Sequence, residues 1–162
     1  MKQEHLRPVP IAAGVITVST TRTTETDTSG KAIQAILAGA GIPVRYYAVI
    51  PDKVKVIRFE LHAALRTCNC IIIDGGTGLT HDDCTIEAVS PLLEKKMDGF
   101  GELFRMKSYE EIGTSMMLSR AVAGTIQGSA VFCIPGSTGA VTLATKNLII
   151  PEIAHILSHA NK

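Results

Sequence analysis

Four short apolar runs are the feature that most restricts the fold of this chain. They occupy residues 9–19, 44–50, 70–74 and 130–134. The first is mostly apolar and β-branched without strict alternation, and the third is wholly apolar until its last residue. A strand that is covered on both faces has this pattern, because neither side meets water. The runs therefore predict the strands of a buried sheet.

Segments with helical periodicity separate these runs. Apolar positions 33, 36, 37 and 40 share one face of a predicted helix that opens at Gly30, and positions 54, 57, 61 and 65 do so after Pro51. Further helices are predicted over residues 85–96, from Ser108 to 127, and over 139–159 with a break or kink at Pro151, whereas residues 97–106 are predicted to be irregular. This order predicts a three-layer α/β/α fold with a mainly parallel sheet. We interpret residues 1–162 as a single domain.

The composition argues against several classes of partner. Charged residues make up 19% of the chain, hydrophobic residues 46%, and the formal net charge is +1. No run of lysine and arginine indicates binding to nucleic acid. A chain this poor in charge is expected to bury apolar surface against copies of itself.

The longest uncharged stretch, residues 121–145, raises the question of a membrane span. Gln127, Pro135 and several glycines interrupt it, so we interpret it as helix, turn, strand and turn, and we expect no membrane association. The N-terminus lacks the pattern of a signal peptide. The four cysteines are predicted to be buried thiols of a reducing compartment, which indicates the cytoplasm.

One edge of the predicted sheet is expected to hold the functional site. Ligands of such folds bind beyond the carboxyl ends of the strands. The segments that follow strand ends are residues 19–30, 50–52, 74–78 and 135–137. Because the strands are predicted to be parallel, all four segments should line the same edge.

The glycine loop, Gly75-Gly76-Thr77-Gly78, is the most informative of these segments. Glycines let the backbone approach a ligand and turn N–H groups toward an anion, and the following helix adds its positive end. The chain has neither the G-x-G-x-x-G fingerprint nor the G-x-x-x-x-G-K-[ST] loop, which argues against dinucleotide-dependent oxidoreductases and Walker-type NTPases. A tight connection without a ligand has the same composition, so both interpretations stay open on these residues alone.

Two aspartates, Asp52 and Asp83, follow strand ends on the same edge. An aspartate near a helix start often serves only as a cap, and Thr80 with Asp83 has capping-box spacing. Two carboxylates that face an anion-binding loop also suggest Mg²⁺ held together with phosphate oxygens, and hence phosphate-transfer chemistry. His155 and His159, one helical turn apart, are interpreted as a solvated face because nothing nearby supplies further metal ligands.

The stretch GGTGLTHDDCTIEA, residues 75–88, resembles the glycine-loop signature of the molybdopterin adenylyltransferase family, which includes MogA, MoaB and gephyrin-type domains. Several further segments are similar to the MoaB branch in particular: residues 17–19, 27–30, 99–106, 108–115, 118–121 and 135–140. The resemblance covers nearly the whole chain in the correct order. It implies a three-layer α/β fold that assembles as a trimer or hexamer.

The resemblance also implies an activity and a set of site residues. The implied reaction is adenylylation of molybdopterin by ATP with Mg²⁺ as cofactor and with release of pyrophosphate, and a MoeA-type metal-insertion protein is an implied partner. Catalytic and metal-binding roles carry over to Asp52 and Asp83. Ligand contacts carry over to eleven positions: Ser19, Asp27, Ser29, Gly30, Gly75, Gly76, Thr77, Gly78, Ser115, Gly136 and Ser137.

The sequence also departs from the family pattern. Thr20 follows Ser19 where the family often has aspartate, Asp82 stands where a basic residue is common, and Ile86 replaces a frequent proline. Asp82 adds negative charge where phosphates should arrive, and we expect it to raise metal dependence or to weaken nucleotide binding. A molybdopterin-binding or assembly protein without adenylylation is therefore the alternative function, although the presence of both Asp52 and Asp83 favours the enzyme.

Overall fold

A six-stranded sheet forms the centre of the computed structural model, which describes residues 8–162. The strands are β1 (Ala13–Val18), β2 (Val44–Ile50), β3 (Cys70–Asp74), β4 (Lys95–Lys96), β5 (Val122–Ile126) and β6 (Ser129–Ile134), in the order β2-β1-β3-β6-β5-β4. The first four strands in this order are parallel, whereas β5 is antiparallel to β6 and β4 is antiparallel to β5. The predicted parallel sheet is confirmed for the four strands that the apolar runs marked.

Helices cover both faces of the sheet, which confirms the three-layer α/β/α prediction. The α-helices are α1 (Thr28–Gly39), α2 (Val54–Leu65), α3 (Thr85–Val89), α4 (Asp98–Ile112), α5 (Thr138–Thr142) and α6 (Ile150–Ala160). Phe104 of α4 and Leu157 of α6 lie in the core on one face, together with residues of α1 and α5. Ile57 of α2 and Val89 of α3 lie in the core on the other.

The residues of β3 show why the apolar runs do not alternate. Cys70 and Ile72 belong to the core beneath α1 and α6, while Ile71 and Ile73 belong to the core beneath α2. All four side chains are fully buried. Burying an aliphatic side chain contributes about 1.5–3 kcal/mol, so both faces of this strand favour apolar residues.

The segment between β3 and β6 differs most from the sequence prediction. The helix predicted over residues 85–96 is wrong beyond Val89, because a 3₁₀ turn (Ser90–Leu92) follows and Lys95–Lys96 pair with β5 as an edge strand. Residues 97–106, which were predicted to be irregular, lie mostly within α4. Phe100 packs on Phe104 at 6.4 Å and edge-on against Phe132 at 5.2 Å between ring centroids, and burying these rings favours the helix.

The helix predicted from Ser108 to residue 127 is also wrong. Ser108 is buried within α4 instead of capping a new helix, and α4 ends at Ile112. A 3₁₀ segment, Gly113–Leu118, follows, and Val122–Ile126 then forms β5. The pairing of β5 with β6 outweighs the local signal, because it connects their backbone groups in an antiparallel ladder. The stretch 121–145 is therefore strand, turn, strand, turn and helix.

The C-terminal helix does not break at Pro151. A π-helical segment, Leu143–Ile149, joins α5 to α6, and Pro151 lies in the first turn of α6. Proline lacks the N–H that would continue the helical hydrogen bonds, and a π-helical segment, like proline, is a place where helices bend. The continuous helix Thr138–Ala160 is long and apolar enough to cross a membrane by length and composition. In this fold, however, Ile149, Ile153 and Leu157 are buried in the core, as in a helix that packs on a sheet.

Candidate functional site

The glycine loop follows β3 with a backbone that favours glycine. Gly75 and Gly76 have φ angles of 91° and 67°, in the left-handed region that other residues disfavour. A Cβ at Gly75 would lie 2.3 Å from the Val18 carbonyl oxygen, and one at Gly76 would lie 2.4 Å from Thr85 Oγ1. A Cβ at Gly136 would in turn lie 3.1 Å from the Gly75 Cα. The chain segments after β1, β3 and β6 are therefore in close contact, as the strand directions predicted.

Hydrogen bonds hold all four carbonyl groups of the glycine loop. Thr85 donates its backbone N–H to the carbonyl of Gly76 at 3.0 Å and its hydroxyl to that of Gly75 at 2.7 Å. Arg120 donates to the next two carbonyls, through Nε at 2.8 Å and Nη2 at 2.9 Å. None of the described peptide bonds is cis, and in a trans peptide the N–H points away from the carbonyl of the same bond. The N–H groups of residues 76–78 therefore point away from Thr85 and Arg120, which suits anion binding.

Arg120 contacts the glycine loop, which the sequence did not predict. It precedes β5 and lies 43 residues from Thr77, whose carbonyl it binds. Its ion pair with Glu87 raises the pKa of Arg120 and lowers the pKa of the Glu87 carboxyl. The only sequence signal was its place in residues 118–121, a stretch similar to the MoaB branch, where no role was assigned to it.

Asp52, Asp82 and Asp83, here called the open aspartates, lie beside the glycine loop. Asp52 Oδ1 is 3.0 Å from the Cβ position of Gly76, and Asp83 Oδ2 is 2.7 Å from the Cβ position of Gly78. Burial first, and then the negative charges of Asp83 and Asp82, raise the pKa of the Asp52 carboxyl. The structure therefore brings the two predicted catalytic aspartates together at one loop, where their charges oppose each other.

Neither of these two aspartates caps the helix that follows it. The residue before α2 is Lys53 and the residue before α3 is Cys84, and neither helix has a side-chain cap. Asp83 instead closes the turn before α3: its Oδ2 accepts the Thr80 N–H at 3.0 Å and the Thr80 hydroxyl at 2.8 Å. The alternative of two simple helix caps is therefore wrong, although the Thr80–Asp83 part of the predicted capping box forms.

A second group of polar side chains, the buried network, lies at the ends of β1 and β3. It consists of Thr17, Arg22, Asp27, Ser29, Tyr47 and Asp74. Asp74 accepts the Thr17 hydroxyl at 2.7 Å and the Ser29 hydroxyl at 2.6 Å. Arg22 donates to Ser29 Oγ at 2.6 Å and lies 3.8 Å from the carboxylate of Asp27. The network joins the 19–30 loop to the end of β3.

The two acids of the buried network have opposite pKa shifts. Burial raises the pKa of Asp74 to about 6, against the lowering effect of hydrogen bonds from Ser29 and Thr17. Burial also raises the pKa of Asp27, but hydrogen bonds from Tyr47, the Gly30 N–H and neighbouring hydroxyls outweigh it, so the net shift is downward. Sequence reasoning did not assign a role to Asp74, whose only signal was its position at the end of an apolar strand.

Comparison with known proteins identifies the family of the chain. The family described as "probable molybdopterin binding domain" matches residues 14–155. The chain belongs to this molybdopterin-binding domain family. Within it, the chain is 45% identical to molybdenum cofactor biosynthesis protein B of Bacillus subtilis (strain 168), over 99% of this chain and 97% of the relative.

Solved structures of the molybdopterin-binding domain family have the same fold. A crystal structure of molybdenum cofactor biosynthesis protein B superposes with a TM-score of 0.91 and 46% identity, over 96% of this chain and 98% of that one. The tungsten cofactor synthesizing protein MoaB from Pyrococcus furiosus gives a TM-score of 0.87 and 37% identity, over 96% and 100% of the two chains. The MoaB-like fold that the resemblance implied is confirmed.

The remaining predicted site residues of this family member lie in three places. Ser19 accepts the Arg22 N–H at 3.1 Å, and Gly30 donates its N–H to Asp27 at 3.0 Å, so both support the loop that leads into α1. Ser137 caps α5 by accepting the Ala140 N–H at 3.2 Å. Ser115 lies exposed in the Gly113–Leu118 segment, and within the described chain no hydrogen bond joins it to the other site residues.

The open aspartates determine which metal this site would suit. Within residues 8–162, no group of three or more histidine, cysteine, aspartate or glutamate side chains could hold a metal ion. Asp52 and Asp83 would therefore be the two protein side chains that bind the ion, through carboxylate oxygens, with the remaining ligands coming from substrate and water. Mg²⁺ is commonly bound in this way, through one or two carboxylates together with substrate phosphates. The donor set thus fits Mg²⁺ in the presence of a phosphate-bearing ligand.

Proposed function

We propose that this protein acts in molybdenum cofactor biosynthesis by transferring the adenylyl group of ATP to molybdopterin. The observation that carries the proposal is the pair Asp52 and Asp83 beside a loop whose N–H groups point away from the Thr85 and Arg120 donors that hold its carbonyls. A relative 45% identical over nearly the full length is named for molybdenum cofactor biosynthesis, which supports the pathway. Adenylyl transfer needs both features, because phosphate oxygens must be bound and their negative charge must be balanced.

The proposed reaction assigns a task to each part of the site. A phosphate oxygen of molybdopterin attacks the α-phosphorus of ATP, a new P–O bond forms, and the bond to the leaving pyrophosphate breaks. The N–H groups of residues 76–78 bind phosphate oxygens, and Arg120 and Thr85 keep those groups in position. Asp52 and Asp83 would hold Mg²⁺, which when bound balances phosphate charge. The buried network fixes the 19–30 loop beside the site.

The alternative is a molybdopterin-binding or assembly protein that does not transfer AMP. Asp82 is the observation that favours it, because this exposed carboxylate adds negative charge next to Asp83, where the phosphates of ATP would arrive. Pyrophosphate release from ATP should be measured with and without purified molybdopterin, alongside molybdopterin binding. Release that depends on molybdopterin and Mg²⁺ supports the enzyme. Tight molybdopterin binding without release would replace it with the binding protein.

Self-association is a further part of the proposal. Leu103, Met106, Ile112, Met117 and Leu118 of α4 and the following 3₁₀ segment are exposed. Exposed apolar residues that cluster on one element are typical of protein interfaces, and we propose that copies of this chain cover them in a trimer or hexamer. A MoeA-type metal-insertion protein would then receive the adenylylated product in the cytoplasm, where the four free cysteines would stay reduced.

Sedimentation at low micromolar concentration tests this assembly. The wild-type chain should sediment as a trimer or hexamer, and Ile112→Glu should shift it toward monomer, because a buried unpaired carboxylate opposes association. Phe59→Glu is the matched control: Phe59 is exposed on α2, on the other face of the sheet. A monomeric wild-type chain would contradict the assembly, and dissociation by Phe59→Glu instead would move the interface to α2.

A further inference from the structure

A groove of about 710 Å³ lies at the opposite end of the sheet from the glycine loop. Residues of β4, of the turn between β5 and β6, and of the last two turns of α6 line it. The glycine loop lies beyond the carboxyl ends of the parallel strands, whereas this groove lies where β6 begins. The groove therefore belongs to a different site from the one proposed for adenylyl transfer.

Strand register directs the side chain of one groove lysine to the α6 face of the sheet and that of its neighbour to the opposite face. Lys95 pairs with Thr125, which lies two residues after Ala123 on β5 and so on the same face of the sheet. Ala123 and Met97 pack into the core beneath α6, so the side chain of Lys95 also points to that face. Lys96 touches the groove, but strand alternation directs its side chain to the opposite face.

The α6 side of the groove carries three more basic side chains. His155 and His159 are one helical turn apart, and their rings meet edge to face with centroids 4.7 Å apart. Glu152 binds the Nδ1 of His155 at 3.1 Å, which orients that ring. The positive charge of Lys162, followed by desolvation and by His155, lowers the pKa of His159. The basic groups thus repel one another, and a bound anion would relieve this repulsion.

The acids near the groove balance these charges only in part. Glu94 lines the groove and accepts the neutral Gln127 N–H at 2.9 Å, so it keeps its negative charge, and Glu152 is engaged with His155. Lysines still outnumber acids in the groove, because Lys95, Lys96 and Lys162 line it beside Glu94. Within the described part of the chain, Lys95, His159 and Lys162 take part in none of the ion pairs. The lysines therefore give the groove a positive charge, and this charge increases when His159 is protonated.

The floor of the groove is apolar. Met97 and Ile156 line it and are partly buried against the core beneath α6. Asn161 fixes the wall by donating to the carbonyls of Gly128 and Leu157, both at 2.8 Å. A ligand that matches this groove has an anionic group for the basic rim and an apolar body for the floor.

We propose that the groove binds a small organic phosphate. Its phosphate group lies among Lys95, His159 and Lys162, and its apolar body lies on Met97 and Ile156. Phosphate suits this rim because it offers three acceptor oxygens and nearly two negative charges to several donors at once. The apolar floor adds affinity in proportion to the ligand surface that it removes from water.

Phenyl phosphate is the probe for this proposal, with inorganic phosphate and phenol as comparisons. Each is titrated into the full chain while ¹H–¹³C spectra follow the assigned rings of His155 and His159. These rings lie in the groove, so they report on it separately from the glycine loop. Phenyl phosphate should bind more tightly than either comparison compound. Unmoved His155 and His159 resonances, or equal affinity for phenol and phenyl phosphate, would overturn the proposal.

Three variants place the phosphate within the groove. Lys95→Gln and His159→Gln should each weaken phenyl phosphate about fivefold, in the range expected for exposed charge pairs. Lys96→Gln removes the same charge from the adjacent residue, whose side chain points to the opposite face, and should weaken binding clearly less than Lys95→Gln. Equal losses for Lys95→Gln and Lys96→Gln would show only a diffuse attraction to positive charge, and would contradict a built site.

Discussion

The buried network and the open aspartates lie at the same edge of the sheet but hold their charge differently. In the buried network, Asp74 accepts two hydroxyl groups and Asp27 accepts hydrogen bonds from Tyr47 and the Gly30 N–H. Beside the glycine loop, Asp52 faces the charges of Asp83 and Asp82. Hydrogen bonds within the chain hold the carboxylates of the first group, whereas the negative charges of the second repel one another, although Asp83 also accepts two hydrogen bonds from Thr80.

This difference suits the supporting role proposed for the buried network and the ligand-binding role proposed for the open aspartates. Buried polar groups whose hydrogen bonds are satisfied stabilise one arrangement of the chain, which suits a network that positions the 19–30 loop. Carboxylates that repel each other at a partly exposed site favour a divalent cation and its phosphate ligand. The two aspartates of the buried network and the three open aspartates differ only in their surroundings. Residue type alone therefore does not decide the role of an aspartate at this edge.

The largest effect is expected at Asp83. Asp83→Asn keeps a side-chain acceptor for Thr80, so the turn should persist, but it removes the negative charge that would hold Mg²⁺. Turnover should fall about 100-fold or more, a loss typical of removing one charged group that acts on the transition state. Asp82→Asn is the matched control and should keep or improve turnover, because Asp82 opposes the incoming phosphates. If Asp83→Asn released pyrophosphate at the wild-type rate, the open aspartates would not have the ligand-binding role that distinguishes them from the buried network.

The next effect concerns stability and belongs to Asp74. Its folded pKa of about 6 lies above the usual value of 3.8, so the folded chain binds this proton more tightly than the unfolded chain does. The resulting stabilisation is fully present below the unfolded pKa and is lost as the pH rises through the folded value. The free energy of unfolding of the wild type relative to Asp74→Asn should therefore increase by about 2 kcal/mol as the pH is lowered from about 7 to about 4.

Urea unfolding at several pH values measures this difference. Asp27 is present in both proteins, so its own contribution cancels except for its interaction with Asp74, which is part of the measured difference. Asp82→Asn serves as the reference for an exposed carboxylate and should show no comparable pH dependence. If the difference in unfolding free energy between wild type and Asp74→Asn did not change with pH, the pKa of Asp74 would not be raised in the folded chain.

Coupling between Asp52 and Asp83 gives a smaller effect. Each single change to alanine should weaken Mg²⁺-ATP binding about tenfold, and the double change should cost less than the sum, because the two residues share one partner. Titration calorimetry of Mg²⁺-ATP into the wild type and the three variants measures the coupling. Additive losses, or nucleotide binding that is indifferent to Mg²⁺, would mean that the two carboxylates do not hold one ion.

The smallest effect is expected from Arg120→Lys. Lysine keeps the charge but cannot donate to two carbonyls in a planar fork, so the glycine loop should loosen while the buried network stays intact. We expect ATP affinity to fall about threefold, with a change of less than about 0.5 kcal/mol in unfolding free energy. A larger stability loss with unchanged ATP affinity would assign Arg120 to the fold instead of to the loop.

The sequence predicted the carboxyl edge of the sheet better than the rest of the fold. Apolar runs revealed β1, β2, β3 and β6, and parallel strand ends bring their loops together whatever the details of the helices. The strand Lys95–Lys96 could not be predicted, since two lysines form a strand only because β5 lies beside them. In the turn between β5 and β6, Gln127 and Gly128 have φ angles of 48° and 80°. Glutamine rarely adopts a positive φ, so its presence did not predict this turn.

Side-chain roles that depend on contacts between distant residues could also not be predicted from the sequence. Arg120 reaches the glycine loop from 43 residues away, and nothing in its neighbourhood marks a loop-binding arginine. Asp74 is buried by elements on both sides of β3, so its raised pKa follows from packing. Asp52 and Asp83 could be paired in advance because strand direction alone brings their positions to one edge.

The contacts that join the loops at this edge also bear on how the protein folds. Thr17 binds Asp74 across 57 residues of sequence, and Arg22 reaches the Gly136 carbonyl across 114. Contacts between such distant residues form slowly, because closing the long loop between them costs entropy before any contact is gained. During synthesis, residue 136 must emerge from the ribosome before the edge can close. We therefore expect fragments that lack β6 to lose the ATP binding that we propose for the whole chain.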